Sequence, residues 1–432
     1  MATPDTVPAK PDMTLRVDRL TRSFMYMQHI CAPTDLYFGA LLQLRGFAPS
    51  VDMLRALVSE HLDTPPVLTH RLASTHDGDL RWERDPHFDL RAHVGELADL
   101  AVRPEPAHMW LESDPGRQRP LWRMWLLPGD GDNWGLGYVV HHAAQDGTSM
   151  IRTLEQLFGD RKTATANAGQ SDKRRSRPWR ALRAVPILLA TRKPAAGIAT
   201  LPTFPGAGRH LTSRTVPLSD LRTISAASGA TVGQAHLAAL SGAIRRWSPL
   251  DFTGRSERDR RRVLPVCVPV DTREPAEGDV TTGNLIGLMP VGLPCGEPDP
   301  WRRLRRVMSR ASRNRIVTGK SALRALTDDV PVRIAFACLA RLGDRRTVAL
   351  TASSFRSIAP LTVAGTPVDN VIAIPWLPPQ HGCFSILTRY KNRATLSVLT
   401  AGGPDTSAAL ADHWVEAVSE LREACRRVSN GT

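Results

Sequence analysis

Apolar residues fall at two different spacings along this chain, and the changes from one spacing to the other divide it into elements. Residues 35–44 form a short apolar and aromatic run of strand length. Beyond Pro49-Ser50 the steps lengthen to three and four. Met53, Leu54, Leu57, Val58, His61 and Leu62 then share a helical pattern that Ser50 is placed to cap and Pro65-Pro66 to end. Strands follow at 80–83, 120–126 and 134–140, the last two joined by a hairpin turn at 128–131. An amphipathic helix over 150–158 comes next, with Ile151, Leu154, Leu157 and Phe158 on one side. The second half repeats the alternation: strands at 214–218, 263–270 and 283–294, and a strand pair within 383–398. Its helices are expected from Ser219 to a C-cap at Gly229, then over 231–247, 298–307 and 405–427. Residues 13–28 read as a mixed segment.

The stretch with chemistry in it is Tyr138-Val139-Val140-His141-His142-Ala143-Ala144-Gln145-Asp146-Gly147. An apolar strand here delivers two adjacent histidines into a turn closed by Asp146-Gly147. Successive strand residues face opposite ways, so one imidazole only can point into a given cleft. A histidine at a strand end in a partly buried cleft suits a general base near neutral pH. Asp146 lies four residues beyond His142, where it could orient the loop through an ion pair or cap a helix beginning near Thr148. Neighbouring histidines before an Asp-Gly turn also occur as purely structural residues, and the residues alone leave both readings open.

Composition narrows the class. At 432 residues, 42% hydrophobic and 23% charged, the chain can build two ordinary domains or one large one. Cys31, Cys267, Cys295, Cys338, Cys383 and Cys425 are scattered, with no CxxC and no Cys/His cluster. That argues against a zinc site or a disulfide framework and makes a reducing cytoplasm the simplest compartment. Residues 1–12 read as a disordered, Pro-rich tail without the apolar stretch of a signal peptide, and no apolar run approaches a membrane span.

The formal net charge of +14 asks for an acidic partner: nucleic acid, an anionic membrane surface, or a phosphorylated substrate or carrier. Most of the excess is arginine, and no nucleic-acid motif or interleaving of aromatic and basic residues accompanies it. Nucleic acid is therefore the weakest of the three. Residues 161–207 read as a linker in which Lys173, Arg174, Arg175, Arg177, Arg180 and Arg183 alternate with Trp179, Leu182, Val185 and Leu189, with no acid among them. The segment is either a solvated crossover or a basic amphipathic stretch that touches anionic lipid or donor phosphates. His87 and His93 have no third metal ligand at suitable spacing and read as surface or core residues.

The HHxxxDG pattern of His141 to Gly147 and the upstream Pro120-Leu121-Trp122 resemble the bacterial wax ester synthase/diacylglycerol acyltransferases. These are a branch of the chloramphenicol-acetyltransferase-like acyltransferases, which also include peptide-synthetase condensation domains. Similar to the family as well are Asp85 to Val94, the helix over 231–247, the strand ending in Asp271-Thr272-Arg273, and Gly283-Asn284 to Leu293-Pro294. Two segments depart from it. The family's Asn-Asp pair is Gly233-Gln234 here, and its SNVPGP strand is Thr351 to Ser357, without the Asn or the Pro-Gly. The resemblance covers roughly residues 13–427.

What the resemblance implies is an α+β fold, a mixed α/β sandwich of two chloramphenicol-acetyltransferase-like subdomains with the active site in a tunnel between them. The subdomains would be 13–160 and 208–432. His142 would be the general base, with His141 buried to fix the loop, Asp146 held by a bidentate pair with Arg273, and Gly147 left uncrowded. Asn284, Gly233 and Gln234 are candidate substrate-binding residues. No metal or organic cofactor is implied; acyl-CoA or an acyl-carrier thioester is the donor substrate, and a fatty alcohol, a diacylglycerol or another hydroxyl the acceptor. An acyl carrier protein and an anionic membrane surface are the partners it suggests. The setting is cytoplasmic, with room for peripheral contact at the inner face of the membrane. Two alternatives stay open: a tailoring acyltransferase or condensation enzyme making an ester or amide from a carrier-bound donor, and a non-catalytic lipid-binding relative. No GxSxG elbow offers a serine nucleophile.

Overall fold

The computed structural model of the chain describes residues 15–27, 36–62, 65–74, 76, 79–97, 118–159, 178–190, 198–201, 209–254, 256–277, 280–342, 344, 346–378 and 381–430. The strands in chain order are β1 (Leu15–Arg16), β2 (Tyr37–Arg45), β3 (His70–Ser74), β4 (Leu80–Arg84), β5 (Val94–Glu96), β6 (Trp122–Pro128), β7 (Asn133–His141) and β8 (His210–Pro217). They continue with β9 (Leu264–Asp271), β10 (Ile286–Leu293), β11 (Leu350–Ile358), β12 (Thr362–Val363), β13 (Thr366–Ile374), β14 (Cys383–Tyr390) and β15 (Arg393–Thr400). Two six-stranded sheets carry the fold, in the orders β12-β13-β2-β7-β6-β5 and β10-β9-β11-β14-β15-β8; β1-β4-β3 make a small third.

β7 runs through the middle of the first sheet, antiparallel to β2 and β6, with Tyr37 opposite His141. Gly39 is required at this crossing, because a Cβ there would sit 2.1 Å from the Tyr138 carbonyl oxygen. β13 comes from the second half of the chain and pairs with β2, Ile374 opposite Gly39. The first sheet is therefore not made from residues 13–160 alone. Val371, Ile372, Ala373 and Ile374 are all buried in this position, covering an edge of β2 that would otherwise stand open.

In the second sheet β14 alternates: Phe384 and Ile386 face the core shared with the first sheet, while Cys383 and Leu387 face a second core. That second core lies under the helices Val232–Trp247 and Pro404–Asn430, which supply Leu240, Ile244, Trp414 and Leu421. The result is a layered arrangement in which one face of each sheet looks toward the other.

Local signals mostly act where the sequence puts them. Ser50 Oγ accepts from Met53 N at 3.2 Å to start the helix Val51–Ser59. Gly229 ends the helix Leu218–Ser228 with φ of 73°, but Ser219 does not begin it; the helix starts one residue earlier, after Pro217, without a side-chain cap. The mixed segment at 13–28 resolves into β1 and a helix, Arg19–Met27, whose first turn is held by Thr21 N donating to Asp18 Oδ1 at 2.7 Å. The tail at 1–12 and the stretches 161–177, 191–197 and 202–207 of the basic linker lie outside the described residues. The described part of the linker is a 3-10 turn, Pro178–Ala184, and a helix, Val185–Ala190, with Trp179, Leu182, Val185 and Leu189 exposed. Among the described residues no helix is long and apolar enough to cross a membrane.

Candidate active site

β7 ends at His141, and His142 is the first residue of the turn beyond it, with its N–H on the Leu36 carbonyl at 2.8 Å. The two imidazoles go to different places. His141 is fully buried; its Nδ1 accepts from Ala143 N at 3.0 Å and its ring stands edge-on to Tyr37. His142 lines a cavity of about 510 Å³ between the sheets. Its ring is stacked on Phe24 at 4.2 Å between centroids and flanked by Phe38 and Trp376. Burial in this aromatic setting lowers its pKa to about 4, outweighing the opposing effects of Asp146 and Asn284. The imidazole is neutral at pH 7.

Asn284 fixes which neutral form it takes. The Asn284 amide nitrogen lies 2.6 Å from the His142 carbonyl oxygen, an acceptor only, so that end of the amide must be the NH₂. Oδ1 is then the atom 3.0 Å from His142 Nδ1, which must carry the ring proton to make that bond. The lone pair is left on Nε2. Asn284 is itself anchored, its backbone N–H on Asp18 Oδ2 at 3.1 Å. The helix Arg19–Met27 and the Asp18 that precedes it thus hold the site twice, through Phe24 and through Asp18.

Asp146 caps the helix Gly147–Phe158, accepting from Ser149 N at 2.9 Å, and also accepts from Leu285 N at 2.8 Å. The pair with Arg273 is present in a form different from the fork expected. A single nitrogen, Nη2, sits 2.9 Å from both carboxylate oxygens and 2.6 Å from Ser149 Oγ, while Nη1 turns to Asp271 at 3.1 Å. Burial by itself would raise the Asp146 pKa, but Arg273 and the two backbone N–H groups hold it below the usual carboxylate range. Gln145 adds a second tie between the halves of the chain: it accepts from Tyr138 OH and donates to Thr153 Oγ1 and the Thr281 carbonyl. Gly147 leaves no spare room, since a Cβ there would lie 2.5 Å from the Phe355 ring.

Not every expected residue gathers here. Gln234 closes a capping box with Thr231 and donates to the Ala311 carbonyl at 2.9 Å, and Gly233 beside it is in the same first helical turn; neither lines the cavity. Asn284, expected against substrate, has its amide spent on His142. His93 is a core residue, stacked between Phe88 and Trp122 with Nδ1 on the Trp122 carbonyl at 2.9 Å. No cluster of His, Cys, Asp or Glu able to hold a metal occurs among the described residues. The aromatic wall of Phe24, Phe38 and Trp376 and the Asp18 anchor had no sequence signal beyond ordinary core and helix-cap patterns.

Residues 23–203 match the wax ester synthase/diacylglycerol acyltransferase catalytic domain, and residues 282–422 match the C-terminal domain of the same family. The chain belongs to the wax ester synthase/diacylglycerol acyltransferase family. It is an O-acyltransferase by that membership. Among its relatives is the probable diacyglycerol O-acyltransferase tgs1 of Mycobacterium tuberculosis, 26% identical with 94% of this chain and 97% of that protein covered. Solved structures share the fold at lower identity. The wax ester synthase/diacylglycerol acyltransferase of Marinobacter aquaeolei is 17% identical at a TM-score of 0.62, covering 95% of this chain and 99% of that one. The first condensation domain of the calcium-dependent antibiotic synthetase, with substrate analogue 2a, is 18% identical at 0.70, covering 96% and 97%. The two-subdomain, chloramphenicol-acetyltransferase-like α+β architecture is the one these structures have.

Proposed function

We propose that this family member moves a fatty acyl group from a thioester to the hydroxyl of a lipid acceptor, a diacylglycerol or a fatty alcohol, with His142 as general base. The observation that carries the reading is the tautomer: Asn284 occupies Nδ1, and the remaining basic nitrogen belongs to a ring that lines a mostly apolar cavity. In this scheme Nε2 takes the acceptor's O–H proton as its oxygen attacks the thioester carbonyl carbon. The tetrahedral intermediate collapses by breaking the C–S bond, and the imidazolium gives its proton to the departing thiolate. Ester and free thiol are the products. A base whose pKa lies near 4 is always ready in its neutral form, and passing the proton straight to sulfur avoids holding a buried cation. Asp146 and Arg273 act through the loop, and their role in this reading is positioning.

Walls supplied by Leu20, Phe24, Phe38, Ile286, Leu288 and Trp376 suit an acyl chain. The donor is acyl-CoA or a carrier-bound thioester. Peripheral contact with anionic lipid is part of the proposal, through Trp179, Leu182, Val185 and Leu189 beside Arg183. The test is release of free thiol from a panel of acyl-CoAs, with long-chain alcohol, diacylglycerol or no acceptor, by wild type and His142→Ala. Acceptor-dependent release that disappears in the variant supports the reading. Undiminished release by His142→Ala overturns it.

A further inference from the structure

Among the described residues, three of the buried or half-buried arginines are held by a carboxylate. Arg273 has Asp146, Arg303 has Glu420 and Arg324 has Glu277. Arg389, on β14, is half-buried and lines the cavity, yet among the described residues no carboxylate pairs with it. Its Nε and Nη2 both donate to the Phe355 carbonyl, at 3.1 and 2.8 Å, where β11 bulges away from β14 between Ser354 and Ser357. The charge it feels is another cation, Arg222. It acts in turn on His236, which is buried with neither ring nitrogen hydrogen-bonded. A guanidinium drawn out of water without a counter-ion is costly, and one carbonyl oxygen offsets little of that cost. The two bonds to Phe355 fix its plane at the bulge, and Nη1 makes no hydrogen bond among the described residues.

We infer that Arg389 is an anion subsite of the cavity, taking a phosphate or carboxylate carried by a reactant whose apolar part lies against the walls nearer His142. The hydroxyl-bearing Ser353 and Ser354 border the same space. They belong to the Thr351 to Ser357 stretch, where the chain departs from its family's pattern, so the subsite would be a property of this chain's own selectivity. The ligand's identity rests on the acyl-transfer reading, but the subsite is read by binding and does not depend on turnover.

The experiment is isothermal titration of wild type, Arg389→Gln and Arg389→Lys with octanoyl-CoA, octanoate and S-octanoyl-N-acetylcysteamine, with circular dichroism melts to show that each variant folds. Losing a charge-assisted hydrogen bond weakens binding by about 10- to 100-fold. That loss is expected in Arg389→Gln for an anionic ligand, with the neutral thioester unaffected and Arg389→Lys falling between. Loss confined to octanoyl-CoA identifies a donor phosphate as the anion; loss confined to octanoate identifies a carboxylate. An equal loss for the neutral thioester, no loss for either anion, or no binding of either anion by wild type overturns the subsite. Absence of thiol release by wild type would defeat the acyl-transfer reading alone.

Discussion

Asn284 grips His142 from both sides, Oδ1 on ring Nδ1 at 3.0 Å and Nδ2 on the backbone carbonyl at 2.6 Å. The two contacts set the tautomer and the ring's orientation together, which a single hydrogen bond would not do. Asn284→Ala should therefore lower kcat by roughly 10-fold or more while the protein stays folded, the size seen when an orienting partner is removed. Asn284→Asp makes a sharper test. A carboxylate beside Nδ1 favours the imidazolium, so the acid limb of kcat/KM should move to higher pH. An acid limb unchanged from wild type would mean that Asn284 does not act through the ring.

The buried state of His142 sets where that limb begins. With a pKa of about 4, thiol release by wild type should hold its rate well below the ordinary histidine range and fall near pH 4. A limb centred near 6.5 would contradict the aromatic burial as its controlling environment.

Stability follows the same ionisation in the opposite balance. His93, His142 and His381 are lowered to about 4 and His236 to about 3, in each case chiefly by burial. Folded-state values below the unfolded one mean that the unfolded chain binds more protons as pH falls. The stabilisation is complete above about 6.5 and is lost progressively between there and about 4. Tm recorded by circular dichroism should drop steeply across that window. His236→Leu, which removes a buried imidazole with both nitrogens unpaired, should flatten the drop. An equal slope in the variant would rule His236 out as a contributor.

The parts of the site that were legible in the sequence are those fixed by local chemistry. HHxxxDG at a strand end gave the loop and Asp146 as a cap, because strand alternation and capping act over a few residues; Arg273 as the partner of Asp146, 127 residues away, came from the family resemblance alone. What could not be read depends on chain brought from far away. The β13 pairing with β2 joins residues more than 300 apart, as Ile374 with Gly39, and no periodicity announces which edge a strand will cover. Asn284 is expected near substrate by resemblance; that its amide lies on His142, across 142 residues of chain, could not be read locally. Gly233-Gln234 lies away from the cavity, and the Thr231-x-x-Gln234 spacing carries a local capping-box signal that accounts for Gln234 there.

The Asp146–Arg273 pair is where activity and stability should fall together. Both side chains are nearly inaccessible, at 0% and 4% exposure, so removing the cation strands a buried carboxylate. Breaking such a pair costs about 3–5 kcal/mol. Arg273→Ala should unfold at a much lower Tm and lose most of its thiol release. Arg273→Lys should recover part of both, because the Asp146 contact uses one nitrogen, while the link through Nη1 to Asp271 is lost. Full activity in Arg273→Ala would sink the pair as the loop's support.

Gly147 and Phe355 offer a test in which one change should repair another. A methyl group on Gly147 would meet the Phe355 ring at 2.5 Å, and Phe355 is 8% exposed and held by Arg389 through its carbonyl, so the ring has little freedom to retreat. The chain must give way at the loop instead, moving the turn that carries His142. Gly147→Ala is therefore expected to cost about 1–3 kcal/mol, the range for overpacking a tight contact, and to lower kcat more than KM rises. Phe355→Leu alone opens space and should be mild. Combined with Gly147→Ala it should restore a substantial part of kcat, because the clash is with the ring edge. A double variant no better than Gly147→Ala would show that the glycine is needed for its backbone and not for the space beside it.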